Sequence, residues 1–149
     1  MQRGITLLEI LVSVAILAAL SLVGVWYFSS ATKSQALQKD RQGVVALLSE
    51  ARSLSLSSKD ASPYGVHIEE FQVVLFKGTS YSAGASDNIP YQLHSAVHVD
   101  AHSLQDSGDD LVFSRLTGAV TNFGTIRISL KSDSMSSTTI TVKDTGVIE

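Results

Sequence analysis

Apolar residues run almost unbroken from Ile5 to Phe28: 24 positions, 14 of them Leu, Ile, Val or Phe, with one charge, Glu9, and no proline. At about 1.5 Å of rise per residue, a helix of that length reaches roughly 36 Å, enough for the ~30 Å hydrocarbon layer of a bilayer. The pattern then changes. Residues 29–58 keep a helix-compatible composition, but their apolar positions thin to Leu37, Val44, Leu48 and Ala51, beside Lys33, Lys39, Asp40, Arg41, Glu50 and Arg52. Spacings of seven, four and three predict an apolar stripe on an otherwise charged helix, expected to lie against the strands that follow. If the two halves are continuous from 5 to 58, the helix measures roughly 80 Å. Gly24 and Gly43, each about 1 kcal/mol less favourable than alanine, are where it would most easily bend or melt.

Beyond Ser62-Pro63 the chain breaks into short runs rich in β-branched and aromatic residues. Tyr64–Ile68, Phe71–Lys77, Tyr91–Val99, Leu111–Phe113, Thr125–Leu130, Thr138–Lys143 and Val147-Ile148 read as strands. Gly, Asn, Asp and Ser cluster between them, notably at 77–79, 84–88, 106–109 and 144–146. The expected fold class is α+β: a long amino-terminal α-helix on a small antiparallel β-sheet head. Its membrane half occupies 5–28, its amphipathic half 29–60 and the head 61–149.

Charge narrows the function classes. Eleven basic and fourteen acidic residues leave a net of −3, which argues against a nucleic-acid partner held by phosphate neutralisation. Residues 29–60 carry a net of +2 and 61–149 a net of −5. With no cysteine, disulfides, thiol catalysis and cysteine-ligated metals are excluded. Serine fills 23 of 149 positions, so no single serine stands out as a nucleophile.

For the span at 5–28, the 14 large aliphatic and aromatic residues contribute about −6 kcal/mol towards insertion, against about +3 kcal/mol for one central acid. Insertion is favoured. A cleaved signal peptide is the competing reading, since Arg3 precedes the run and Ala19-Leu20-Ser21 has the form of a cleavage site. However, the run continues through Val23, Val25, Trp26, Tyr27 and Phe28, beyond the ~7–15 residues of a signal core. Trp26 and Tyr27 stand where interfacial anchors are expected.

The segment Arg3-Gly4-Ile5-Thr6-Leu7-Leu8-Glu9-Ile10-Leu11-Val12 resembles the start of a type IV prepilin: a short basic leader ending in glycine, one apolar residue, then Thr-Leu-Leu-Glu at the head of a hydrophobic helix. The resemblance implies removal of the leader, residues 1–4, by a prepilin peptidase. It also implies methylation of the new terminus on Ile5, and assembly with other pilin or pseudopilin subunits through Glu9 and Thr6. Physical chemistry gives Glu9 a reason of its own, because a carboxylate in hydrocarbon must be protonated, reach the interface or find a cation. Cleavage after Gly4 would supply an α-amino group one helical turn away, on the same chain or a neighbour. An uncleaved anchor whose Glu9 rests protonated near the headgroups is the alternative. The chain departs from the pattern in carrying Ile5 where phenylalanine is usual and in having no proline within the span. Lys33, Lys39 and Arg41 follow the span while only Arg3 precedes it, so the positive-inside count does not favour a cytoplasmic amino terminus.

A looser resemblance covers most of the remainder. Tyr64-Gly65-Val66-His67-Ile68, Phe71 to Gly78, Leu111-Val112-Phe113 with Gly118, Thr125–Ile128, Ile140–Val142 and the closing Gly146-Val147-Ile148 look like the head layout of GspH/FimT minor pseudopilins. Some relatives bind DNA through basic residues near the carboxyl terminus. Here Asp144 and Glu149 flank a lone Lys143, so that property is not expected.

Candidate chemistry in the head is sparse. His94, His98 and His102 are four apart, which on a helix would align three imidazoles for zinc. The alternation of Tyr91, Leu93, Val97 and Val99 instead predicts a strand, which holds His94 and His98 roughly 13 Å apart. Asp106, Asp109 and Asp110 around Gly108 lack the spaced acids of a calcium-binding loop, and an Asx-type turn is expected. Glu69-Glu70 reads as a solvated hairpin tip. No phosphate loop, nucleophile elbow or His-Glu-x-x-His is present, so neither an enzymatic activity nor a cofactor or metal is implied.

The function expected is that of a pilin-like structural subunit of a type IV pilus or type II secretion pseudopilus, a minor component, inserted once in the inner or cytoplasmic membrane with its head on the periplasmic or extracellular side. Its partners would be membrane lipid, prepilin peptidase and other subunits. Two alternatives are a tip or competence-type adhesin with an exposed aromatic groove at Tyr81 or Tyr91, and a single-pass anchor that never polymerises.

Overall fold

A computed structural model describes residues 6–149, the side chains of residues 22–31 excepted. Helix α1 runs Leu7–Leu56. A short 3₁₀ turn, Lys59–Ala61, leads into seven strands. These are β1 Tyr64–Ile68, β2 Gln72–Lys77, β3 Ile89–Gln92, β4 Val97–Leu104, β5 Asp110–Phe113, β6 Gly124–Leu130 and β7 Asp133–Val142. The chain divides into two compact units, one ending at Ser34 and the other spanning Gln35–Glu149.

Within the second unit the expected antiparallel head is present as two sheets, ordered β3-β2-β1-β5 and β4-β6-β7. The helical stripe completes their core. Ala36, Leu37, Val44, Leu47, Leu48 and Ala51 are buried in one cluster with Val66, Leu75 and Leu111 of the first sheet and Val97, Ile126, Ile128 and Ile140 of the second. The four stripe positions marked by spacing are therefore all core residues, with Ala36 and Leu47 filling the same face.

The helix ends where three residues without glycine's freedom, Ser58, Asp60 and Ala61, take positive φ angles of 53°, 52° and 50°. Polar contacts hold this turn. Buried Ser55 accepts the Tyr64 N–H at 2.9 Å. Asp60 accepts the Tyr64 hydroxyl at 3.0 Å and lies 3.4 Å from Lys77 Nζ. The Tyr64 hydrogen bond and then Lys77 hold the Asp60 carboxyl below its usual value.

Two strands differ from expectation. Tyr91–Val99 is not continuous: β3 ends at Gln92, β4 begins at Val97, and a turn in which Val97 N–H donates to His94 O carries the chain from one sheet to the other. Leu93, Val97 and Val99 are buried on both sides of this crossing, so the alternation was preserved while the strand was not. The strand expected at Thr138–Lys143 begins earlier, at Asp133, and ends at Val142. Asp133 accepts the Met135 N–H and the Ser136 hydroxyl, closing the entry of β7 with side-chain bonds that hydropathy does not register. Val147-Ile148 contributes a single bridge, Val142 to Ile148.

Candidate functional site

Thr6 and Glu9 stand at the very start of α1, whereas Gly4 and Ile5 lie outside the described residues. Thr6 precedes the first helical residue, and its Oγ1 accepts the backbone N–H of Glu9 at 3.3 Å. The Ile10 N–H reaches the Thr6 carbonyl, also at 3.3 Å. This is the geometry of a helix N-cap, and Thr-Leu-Leu-Glu has the S/T-x-x-E form of a capping box. Sequence reading missed it although the pattern was in plain view. The relation expected between Ile5 and Glu9 along one helical turn lies outside the described residues.

From Thr6 to Ser21 every residue is exposed, including Leu7 at 78%, Leu8 at 71% and Leu20 at 65%. Such a surface is one that a water-soluble fold ordinarily buries. Its polar side chains are partly self-satisfied: Ser13 and Ser21 donate to the carbonyls of Glu9 and Leu17 at 2.7 and 2.8 Å. These bonds keep the hydroxyls on the helix's own backbone. Among the described residues no helix is long and apolar enough to cross a membrane. The later part of the expected span, with Trp26, Tyr27 and the Gly24 bend point, falls within residues whose side chains are outside the description.

In the head, the chemistry is that of fastening. Asp40, only 3% exposed, accepts the Tyr91 hydroxyl on Oδ1 at 3.2 Å and the His94 N–H on Oδ2 at 2.8 Å. It thereby ties the helix to β3 and to the crossing between sheets. Gly43, one turn further along, is not a point of weakness: a Cβ there would overlap the Tyr91 ring. Burial, then the charge and hydrogen bond of Asp40, raise the Tyr91 hydroxyl above its ordinary value of 10.0. The signal for Asp40 was an acid three residues past Leu37 and four before Val44, on the core-facing stripe itself.

A second knot joins His67 to Asp110 at 2.6 Å, with Glu69 at 3.8 Å from its other nitrogen. Tyr81 stacks on the imidazole, ring centroids 3.9 Å apart, and its backbone N–H donates to Asp110 Oδ2 at 3.0 Å. Tyr81 and Tyr91, the two rings whose exposure would favour an adhesin, are each half-buried and tied to an aspartate of the head. His94 lies in the crossing turn rather than on a strand. His98 and His102 occupy β4 on either side of a bulge at Asp100, and His102 pairs with Asp109 at 2.8 Å. The 106–109 turn is closed not by its own aspartates but by Asn122, whose Oδ1 accepts the Asp106 N–H at 2.8 Å. Glu69 is engaged by the Gln72 amide at 2.7 Å, which leaves Glu70 as the exposed acid of the hairpin tip. Among the described residues no three His, Asp or Glu side chains gather as they would around a metal ion.

Residues 1–25 match the prokaryotic N-terminal methylation motif. Solved structures share the fold. The type IV minor pilin FimU of Pseudomonas aeruginosa superposes with a TM-score of 0.58 at 15% identity, covering 76% of this chain and 90% of that one. The minor pseudopilin EpsH from the Type 2 Secretion System of Vibrio cholerae does so with a TM-score of 0.58 at 16% identity, covering 76% and 94%. No curated protein matches this sequence. The chain thus has a pilin-like fold, an amino-terminal helix with antiparallel sheets packed on its later part, behind a prepilin-type methylation motif.

Proposed function

We propose that the protein is a minor pilin or pseudopilin: a structural subunit cut between Gly4 and Ile5 by a prepilin peptidase, methylated on Ile5, inserted once in the inner membrane and assembled with other subunits into a filament. The observation that carries this reading is a capped helix start bearing Glu9, followed by a described stretch, Thr6–Ser21, that buries nothing in its own chain. Side chains of that kind call for lipid before assembly and for neighbouring helices after it. Glu9, exposed among them, supplies the charge for which a neighbour's new α-amino group is the fitting partner. The head contributes shape and contacts rather than catalysis.

Two measurements test this. Mass spectrometry of the membrane fraction should find an amino terminus at Ile5 carrying one added methyl group; an intact Met1 in a strain with active prepilin peptidase would overturn the cleavage step. Glu9→Ala should reduce recovery in sheared filaments at least tenfold while leaving the head folded. Recovery unchanged by the substitution would remove Glu9 from assembly, and absence of the wild-type protein from sheared filaments would leave only a non-polymerising anchor.

A further inference from the structure

A groove of about 530 Å³ runs along β5 on the side of the first sheet away from the core, a volume ordinary for a small-ligand site. Its geometry points to a short zwitterionic peptide, of about five residues, as the ligand. Leu111 and Phe113 are wholly buried in the core, so Asp110, Val112 and Ser114 face the other way and form the floor. β5 is an edge strand, and its free edge is followed by residues 119–122 through a Phe113–Val120 bridge and a 2.8 Å bond from Asn122 Nδ2 to Asp110 O. Thr121 and Asn122 therefore border the groove on that side, and Thr79, from the connection between β2 and β3, borders it on the other.

The two ends of the groove carry opposite charge. At the start of β5 stand Asp106 and Asp110. Asp110 is engaged by His67 and the Tyr81 N–H, with Glu69 adding to the negative end, whereas the Asp106 carboxylate has no partner among the described residues. Asn122 fixes its position, accepting the Asp106 N–H at 2.8 Å. Past the end of β5 stands Arg115, which donates from Nη1 to the Ala61 carbonyl at 3.0 Å and has no carboxylate partner among the described residues. Other charges close by are already matched, Asp109 by His102 at 2.8 Å and Asp60 by Lys77 at 3.4 Å, so each end keeps its sign. Between the ends the lining is neutral. The hydroxyls of Thr79, Ser114 and Thr121 make no hydrogen bond among the described residues, and Pro63 and Val112 supply apolar contact. The four residues of β5 cover roughly 13 Å, the distance between the first and last Cα atoms of about five extended residues. Such a peptide sets its ammonium at Asp106 and its carboxylate at Arg115, with its amides against the hydroxyls between them. A polyanion meets like charge at the Asp106 end, and no aromatic ring lines the groove for a sugar to stack on.

This site does not depend on filament assembly and is tested on the full chain in detergent. Titration calorimetry with pentaalanine should show saturable one-to-one binding. Acetylating the peptide's amino terminus or amidating its carboxyl terminus should each weaken binding about fivefold or more. Asp106→Asn should remove the effect of acetylation and keep that of amidation, and Arg115→Gln should do the reverse, a crossed pattern that misfolding of either variant cannot produce. No saturable binding to the wild-type chain, or equal affinity for free and doubly capped peptide, overturns the proposal without recourse to any variant. Capping effects that fail to cross between the two variants overturn it as well. A wild-type chain that binds pentaalanine in this way but never reaches filaments upholds the site and removes the pilin reading.

Discussion

Two stretches of the same helix obey opposite rules. Between Gln35 and Leu56 apolar residues recur with the period of the helix, and those on one face, Ala36, Leu37, Val44, Leu47, Leu48 and Ala51, are buried. Between Leu7 and Ser21 they occur on every side, and all are exposed. Backbone hydrogen bonding is the same in both, so the difference lies in where each finds company. The later stretch was shaped to fit this chain's own sheets. The earlier one is exposed throughout within the described residues, and its apolar positions follow no single face.

Substitutions can break or sharpen that contrast. Leu48→Ala should cost the most, about 2–5 kcal/mol of head stability, because it empties a fully buried site shared by both sheets. Leu11→Ala should leave head unfolding by urea within about 0.5 kcal/mol of wild type. Equal losses would show that the two stretches are not distinct. Gly43→Ala should follow at about 1–3 kcal/mol, since the methyl group must displace the Tyr91 ring. A melting temperature unchanged by this variant would remove Tyr91 from its place against the helix.

Thr6→Ala should cost about 1 kcal/mol of helix-start stability and Thr6→Ser little, read as amide exchange at Glu9 and Ile10 in detergent. Equal exchange in both variants would show that the cap does not form. The smallest effect concerns pH. Tyr91 keeps its proton to a higher pH when folded than when unfolded, so its contribution is complete below pH 10.0 and declines as pH rises through the raised value. Tyr91→Phe should therefore flatten the alkaline fall of a chemical-denaturation series. Part of the fall should persist, because burial raises the Tyr64 and Tyr81 hydroxyls in the same direction.

Much of the fold was legible because burial follows period. Leu37, Val44, Leu48 and Ala51 announced the packed face, and most strands declared themselves by alternation. The failures share a cause: a distant partner decides them. Tyr91–Val99 alternates correctly but is broken where Asp40, more than fifty residues earlier, takes the His94 N–H. Asp40 looked like a solvated charge because its two donors lie on another element, and Gly43 looked like a hinge because the ring filling its space is remote in sequence. At the amino terminus the capping role of Thr6 required attention to hydrogen-bond donors rather than hydropathy.

Since Ala36 to Ala51 form one wall of the interior, the globular portion is unfinished until that wall arrives. A chain trimmed to begin at Gln35 retains every contributor to the buried cluster, whereas one trimmed at Ser62 opens both sheets to water along a whole face. The head's stability therefore depends on a segment that precedes its first strand: without that segment the sheets lose the surface against which they close.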